Sequence, residues 1–384
     1  GFNIGPNYIV SPQEQLTPLL TFTYANSQKD FSLIEINILD ISLQDISTPG
    51  VPYIWFNPAY PVGRIGFRED IIYSISSEPI TIDICYNCNK SIGTFEFKLN
   101  EIQSLVFKQS LFIYGILTIA CFVVGEISKN YSQVDKVWSI APMIYVWFFT
   151  YNSDFNSRMV IMSILVTVWG IRLTYNFARK SGYSIYFWKG EEDYRWKILK
   201  QRVPIFNTRI IWSLFNLSFI CFYQMGLIFL FCLPILVAWQ GQENPISTFD
   251  WIIALLMLLF IITESIADNQ QYNFQTTKFK KIKNNKPLDG DYKNGFLTKG
   301  LWNFSRHPNF FSEQLIWVTF YLFSISATGE YFNWSIIGCI LLIILFYNSA
   351  NYTESISEQK YPLYKKYKEN VPMFFGFKRN IKNL

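Results

Sequence analysis

The stretch "DWIIALLMLLFIITESIADNQ", residues 250–270, decides the fold. It is almost entirely apolar until its last turns, and it approaches the roughly 20 residues that a helix needs to cross a bilayer. Comparable apolar segments lie on both sides of it along the chain. Together the segments are residues 106–127, 136–151, 158–177, 210–238, 250–270, 310–328 and 332–351. The sequence therefore predicts an all-α polytopic membrane protein with about seven transmembrane helices.

The composition agrees with a membrane protein. Half of the residues are hydrophobic (50%), 19% are aromatic and only 16% are charged, whereas soluble domains carry about 25% charged residues. The net charge of +5 is concentrated in a few loops, so it indicates membrane topology and not nucleic-acid binding. The sequence contains no G-x-G-x-x-G or Walker-type loop, so any nucleotide would be held in another way.

Residues 1–104 have a different pattern from the rest of the chain. Short runs such as "GTFEFKL", residues 93–99, alternate apolar and polar side chains between Asn, Gly and Pro. We expect a β-rich extramembrane domain over 1–104, followed by the membrane domain over 105–384. Cys85 and Cys88 form a C-x-x-C with no second Cys pair or His nearby, so we expect no metal site. A local disulfide and two free thiols both remain open.

Loop charge predicts the orientation in the membrane. Lys and Arg gather between the third and fourth apolar segments, between the fifth and sixth, and after the seventh. Seven spans place these regions on one side, which the positive-inside rule makes cytosolic or matrix. The N-terminal domain then lies on the opposite side. Both the mitochondrial inner membrane and the endoplasmic reticulum fit this arrangement.

Polar side chains inside an apolar helix are costly and therefore indicate candidate sites. Glu264, Asp268 and Gln271 fall on one face of the fifth predicted span. They should face a hydrated cavity, although a polar helix end at the membrane surface would also explain them. Arg172 lies inside the third span and needs a partner, for which Asp135 is a candidate.

The segment "GLWNFSRHPNFFSEQLIW", residues 300–317, contains the single histidine of the chain. Pro308 suits the first turn of a helix, because its missing N–H is not needed there. Arg306 and His307 would lie at the positive terminus of that helix, which is a ready site for an anion or phosphate. Anchoring to lipid head groups is the alternative. Glu313 lies further into the same helix.

These motifs together resemble the steroid 5α-reductase superfamily, in particular its branch of uncharacterised membrane proteins with a steroid-reductase-like C-terminal domain. A more distant relation is to the isoprenylcysteine methyltransferases. The segments that carry the resemblance, which covers about residues 105–384, are "SQVDKVWSIAP", "WGIRLTYN", "EEDYRW", "ESIADNQQYNF", "GLWNFSRHPNFFSEQLIW" and "YPLYKKYKENVPMFF".

The resemblance implies a seven-helix bundle with a cofactor cavity open to the cytosol or matrix. Reductases of this family use NADPH to reduce a carbon–carbon double bond of a sterol or other lipid, whereas the related methyltransferases bind S-adenosylmethionine. The resemblance assigns no catalytic residue. Where relatives usually carry Tyr and Gly, this chain has Phe310 and Ser312. The positions that match cofactor-binding residues of the family are Asp268, Gln270, Arg306, His307, Asn309, Glu313, Glu354 and Tyr361.

Two functions follow as expectations. The first is an accessory membrane subunit of a larger complex, for example a respiratory complex of the mitochondrial inner membrane, that keeps a cofactor or lipid pocket. The alternative is an active NADPH-dependent reductase of lipid double bonds. In either case the expected partners are membrane lipids and other membrane-protein subunits, and not nucleic acid.

Overall fold

The computed structural model describes residues 99–186 and 188–376 in full, and before them only the backbone of short strands. The strands pair in antiparallel order as β1-β2, β3-β6-β5 and β4-β7-β8. Their bounds are β1 Tyr8–Ser11, β2 Glu14–Leu16, β3 Phe22–Ala25, β4 Ile34–Leu39, β5 Trp55–Phe56, β6 Val62–Gly66, β7 Thr81–Tyr86 and β8 Lys90–Glu96. The extramembrane domain expected over 1–104 stays a prediction. The side chains of Cys85 and Cys88 lie outside the described residues.

Within the fully described ranges the chain consists of helices and connecting turns, with no strand. The helices are α1 Glu101–Ser128, α2 Gln133–Val137, α3 Ala141–Asn152, α4 Ser157–Ala178, α5 Tyr194–Arg202, α6 Arg209–Phe215, α7 Gln224–Cys232, α8 Pro234–Gln240, α9 Thr248–Lys283, α10 Gly290–Asn294, α11 Pro308–Thr328, α12 Ile336–Lys360 and α13 Tyr364–Asn370. A π-helical segment, Asn216–Tyr223, joins α6 to α7. The helices form a compact unit, Ile102–Thr328 with Ser335–Leu384.

Five helical segments of the described chain are long and apolar enough to cross a membrane. They are Glu101–Ser128, Ser157–Ala178, Arg209–Gln240, Thr248–Lys283 and Ile336–Lys360. The chain is therefore a multi-pass membrane protein. The predicted span at 136–151 corresponds to α3, whose 12 residues extend about 18 Å, less than the roughly 30 Å hydrocarbon core. The predicted span at 310–328 corresponds to α11, which buries several polar side chains.

Ion pairs fix the relative directions of α4, α9 and α11. At one end Arg158 Nε of α4 lies 2.8 Å from Asp250 Oδ1 at the start of α9. At the other end Arg172 Nη1 of α4 lies 2.8 Å from Asp268 Oδ2 of α9. These two helices therefore run parallel. The first turn of α11 also lies at Asp268, where Asn309 donates at 3.4 Å, so α11 runs in the opposite direction. We use "cavity end" for the end that holds Arg172 and Asp268.

The opposite end is closed by a buried ion pair. Arg158 and Asp250 are 1% and 0% exposed, and Arg158 also donates to main-chain carbonyls of the 241–245 loop. Asp250 accepts from the Ser247 main chain at 2.8 Å and completes a capping box that begins α9. The pair therefore joins α4, the loop and α9, and both charges have partners.

The middle of the bundle is packed by large aromatic rings and one close helix crossing. Trp169 of α4 meets Trp317 of α11 edge to face at 5.0 Å, and Phe231 of α7 lies 4.0 Å from Trp317. Gly338 of α12 lies against α7, where a Cβ would be 2.4 Å from the Leu230 carbonyl. Only glycine permits this approach.

Candidate functional site

Three cavities meet at the cavity end. The apolar cavity, about 460 Å³, includes Trp196, Phe215, Phe219, Phe346 and Tyr352 in its wall. The inner polar cavity, about 600 Å³, includes Asn176, Lys180, Glu264, Asp268 and Glu313. The outer polar cavity, about 600 Å³, includes Gln271, Lys278, Trp302, Tyr361 and Tyr364. Each volume lies within the range of about 300–1,000 Å³ that is usual for small-molecule sites. Phe310 contributes to the wall of all three.

An ionic cluster forms one side of the inner polar cavity. Arg172 Nη2 lies 2.7 Å from Glu264 Oε1, Arg172 Nη1 lies 2.8 Å from Asp268 Oδ2, and Asn176 donates to Asp268 at 2.7 Å. The predicted pairing of Arg172 with Asp135 is wrong. Glu264 and Asp268 lie one turn apart on the face of α9 that packs on α4. The Arg172 guanidinium forms ion pairs with both carboxylates.

Glu313 lies beside this cluster in the bundle interior. It is 4% exposed and accepts from the indole N–H groups of Trp169 at 2.7 Å and Trp317 at 3.1 Å. These two tryptophans hold the carboxylate in place from α4 and from the next turn of α11. Glu313 lines the inner polar cavity, and its assignment as a cofactor-binding residue stays a prediction.

Three buried polar atoms around the polar cavities accept no hydrogen bond from the described residues. They are Glu264 Oε2, Gln271 Oε1 and Asn309 Oδ1. Unpaired buried acceptors are unusual, because each carries a desolvation cost of about 1–3 kcal/mol. Their positions fit a bound polar molecule that supplies donors.

Arg306 and His307 converge on Glu354. Arg306 Nε and Nη2 donate to the Glu354 carboxylate at 2.7 and 3.2 Å, and His307 Nε2 lies 2.9 Å from its Oε1. Lys368 Nζ adds a contact at 3.4 Å. Glu354 itself is fully buried. This convergence of Arg306, His307 and Lys368 on one carboxylate is called the Glu354 hub.

The hub also holds residues 364–373 against the start of α11. Arg306 Nη1 donates to the main-chain carbonyls of Lys368, at 2.9 Å, and Val371. The main-chain N–H groups of Arg306 and His307 donate to the carbonyls of Pro372 and Met373. Arg306 thus lines the outer polar cavity while directing each of its side-chain nitrogens at a protein acceptor.

The eight predicted cofactor-binding residues are only partly brought together. Asp268 and Glu313 line the inner polar cavity, Arg306, His307 and Tyr361 line the outer one, and Asn309 lines both. Lys278 Nζ donates to the Tyr361 hydroxyl at 3.3 Å. Glu354 is fully buried behind the wall. Gln270 accepts from the Leu301 N–H at 2.9 Å, next to Gly300, and lines a smaller neighbouring pocket.

Asp135 does not pair with Arg172, as the sequence had suggested, but lies in the walls of two cavities. It is half-buried and lines both the apolar and the inner polar cavity. Burial, and next the negative charge of Asp193, raise the pKa of Asp135 to about 6. Arg195, which donates to the Ser349 hydroxyl at 2.7 Å, lines the same two cavities. The sequence had suggested Asp135 only as a partner for Arg172, although it lies in "SQVDKVWSIAP", one of the segments that carry the family resemblance.

The π-helical segment shapes the apolar cavity. Phe215, Phe219 and Tyr223 form a stack of rings with centroids 5.2 and 5.4 Å apart. Segments of π-helix are rare and occur often at functional sites. No residue pattern predicted it, because the wider turn depends on packing between helices.

The fold and the site define a class: a multi-pass helical membrane protein in which an apolar cavity adjoins polar cavities at one end of the bundle. The chain belongs to the DUF1295 family, described as proteins of unknown function, whose model matches residues 121–371. Every cavity-lining residue falls inside that match. An uncharacterized protein of Schizosaccharomyces pombe is 34% identical over 299 residues, which are 73% of this chain and 84% of that protein. No solved structure matches the chain.

Proposed function

We propose that the protein is a membrane-embedded reductase that uses NADPH to reduce a carbon–carbon double bond of an apolar lipid, as its resemblance to steroid 5α-reductases implies. The observation that carries the proposal is the meeting of an apolar cavity with two polar cavities at Phe310. A lipid reductase needs such a divided space, since its substrate is apolar and its cofactor is polar and anionic.

The polar cavities suit a dinucleotide. Within residues 99–186 and 188–376, no donor reaches Glu264 Oε2, Gln271 Oε1 or Asn309 Oδ1, and a carboxamide or ribose hydroxyl can satisfy them. Lys180 on the inner wall and Lys278 on the outer wall supply positive charge for phosphate groups. When bound, NADPH supplies a hydride.

The chain supplies water exclusion, orientation and a proton. Aromatic rings of the apolar cavity hold the lipid away from water, and Asp135 lies where the apolar and inner polar cavities adjoin. A carboxyl group with a pKa of about 6 is a suitable general acid near neutral pH. Asp135 would deliver its proton to one carbon of the double bond, and the hydride for the other carbon would come from bound NADPH. The carboxylate regains its proton from water in the inner polar cavity.

We further propose that α3 and α11 complete a seven-span topology. The opposite directions of α9 and α11 support the span at α11, and the span at α3 rests on its place in the chain between α1 and α4. The cavity end, which carries the basic loops, then faces the cytosol or the mitochondrial matrix. The N-terminal residues would then lie on the non-cytoplasmic or intermembrane side, and the membrane would be that of the endoplasmic reticulum or the mitochondrial inner membrane.

A non-catalytic subunit of a larger membrane complex is the second candidate. The observation in its favour is the Glu354 hub, in which the ionic residues of the "SRHPN" motif serve to hold residues 364–373. A protein without catalytic activity would still need Arg306 and His307 to hold residues 364–373 in place.

The test starts with native mass spectrometry of protein extracted in mild detergent, followed by NADPH binding and NADPH oxidation with an enone sterol and a polyprenol. We expect bound NADPH and lipid-dependent oxidation. Asp135→Asn should bind NADPH like the wild type and lose turnover. Asp154→Asn is the matched control, because Asp154 is exposed, lies away from the cavities and has a φ of 52° that Asn accepts. Monodisperse protein that binds no NADPH but retains stoichiometric partner chains would reject the reductase in favour of the subunit.

A further inference from the structure

Phe310 stands at the junction of the three cavities. Its half-buried ring stacks on the His307 ring at 5.3 Å and 18°, and it meets the Phe346 ring edge to face at 4.8 Å. His307 is held by Glu354 at 2.9 Å. The Phe310 ring is therefore supported from α12 and from the Glu354 hub, and it has a defined position between spaces of different polarity.

The neighbouring residues do not share this position. Phe311 turns away and stacks with Phe375 at 6.0 Å, and it is not among the residues that line the three cavities. Ser312 is 1% exposed and donates to the Pro308 carbonyl at 2.9 Å. Of these three adjacent side chains, only that of Phe310 separates the apolar cavity from the polar ones.

We propose that Phe310 determines substrate specificity by acting as the end wall of the apolar cavity. The inference rests on the proposed function and deepens it. An apolar chain enters between the rings of the apolar cavity and stops at Phe310, which keeps it out of the space for the dinucleotide. The substrate class is a chain-like lipid, such as a polyene or isoprenoid, whose reacting end lies beside Phe310 and Asp135.

The size of the Phe310 ring is the physical reason why it would limit the length of a bound chain. We expect replacement of the ring by a methyl group to open a passage, beside Phe346, from the apolar cavity of about 460 Å³ to the polar cavities of about 600 Å³ each. A longer chain can then continue past position 310. Each further methylene that leaves water raises affinity by about 4-fold. The same chain would occupy space that a polar ligand needs.

The test uses cis-parinaric acid, a fluorescent polyene fatty acid, as the probe of the apolar cavity. Saturated fatty acids of increasing chain length displace it from the wild type, Phe310→Ala, Phe310→Leu and Phe311→Ala. We expect the wild type and Phe311→Ala to share one chain-length optimum. In Phe310→Ala the optimal chain length should be longer, and each added methylene should raise the affinity by about 4-fold. The optimal chain length of Phe310→Leu should lie between those of the wild type and Phe310→Ala.

A second measurement adds NADPH. In the wild type the probe and NADPH should bind independently, whereas in Phe310→Ala each should weaken the other by about 5-fold or more. An unchanged optimum in both Phe310 variants, an equal shift in Phe311→Ala, or a wild type that binds no probe would each overturn the proposal. Because the chain-length measurement needs no NADPH, a failure of the reductase function would be seen separately. Phe310→Leu keeps the test valid if Phe310→Ala does not fold.

Discussion

Replacing Arg306 by Lys distinguishes two possible roles of this residue, which are attracting a phosphate group and holding residues 364–373 in place. Lysine keeps the positive charge that attracts phosphate, but it loses the planar fork that donates in several directions. In the structure that fork grips both oxygens of Glu354 and also the carbonyls of Lys368 and Val371. If Arg306 chiefly holds residues 364–373, Arg306→Lys should destabilise the protein even without any ligand.

The magnitude follows from the contacts that are lost. Arg306 is 7% exposed, so a buried acceptor left without a donor costs about 1–3 kcal/mol. One ammonium replaces one of the contacts to Glu354 and leaves the two main-chain carbonyls without their donor. The expected loss is about 2–5 kcal/mol. At about 2–4 °C for each kcal/mol, the unfolding midpoint should fall by about 4–20 °C.

The assay is thermal unfolding in detergent, combined with limited proteolysis in which cleavage after Lys365, Lys366 or Lys368 reports release of the segment. Arg202→Lys is the matched control. Arg202 is exposed, bonds the Ser355 and Gln359 side chains, and lies over the Tyr352 ring at 5.3 Å, a position where lysine keeps the positive charge. Its change should therefore stay within about 0.5 kcal/mol. The reasoning is refuted if Arg306→Lys has the unfolding midpoint and the protease resistance of the wild type but binds NADPH more weakly. Arg306 would then act on the ligand and not on residues 364–373.

Three further predictions concern other parts of the molecule. Asp250→Ala leaves Arg158 buried without its partner and should cost about 3–5 kcal/mol in thermal unfolding, whereas the double change Arg158→Met with Asp250→Leu should recover most of the loss. Gly338→Ala should cost about 1–3 kcal/mol by overpacking against α7, while Gly115→Ala, with open space around its Cβ, should gain up to about 1 kcal/mol. In the proposed reaction the protonated form of Asp135 donates the proton, and the pKa of Asp135 is raised to about 6, so NADPH oxidation should decline as pH rises through 6. A rate that increases over this range would contradict the proposed role of Asp135.

The long apolar segments could be read from the sequence because they depend on local composition. The segment expected at 158–177 is α4, Ser157–Ala178. The segment expected at 210–238 is interrupted at Pro234, where α7 has ended at Cys232 and α8 begins, because proline has no N–H for the helical hydrogen-bond pattern. The helix expected at 250–270 continues to Lys283, because no Gly or Pro follows to end it.

The parts that the sequence did not reveal depend on which helices are neighbours. Periodicity placed Glu264 and Asp268 on one face, but it could not show that α4 would bring Arg172 to them. For the same reason the direction of Phe310 toward the cavities, and of Phe311 away from them, appeared only with the bundle. Helical spacing defines a face and leaves its partner undefined.

The contact between residues 364–373 and the first turn of α11 has a consequence for biosynthesis. These residues, which include α13, leave the ribosome after α1 to α12, and they can join the fold only then. Until they arrive, Arg306, His307 and Glu354 lack part of their partners, and the outer polar cavity lacks one wall. The outer polar cavity is therefore complete only after α12 has been made.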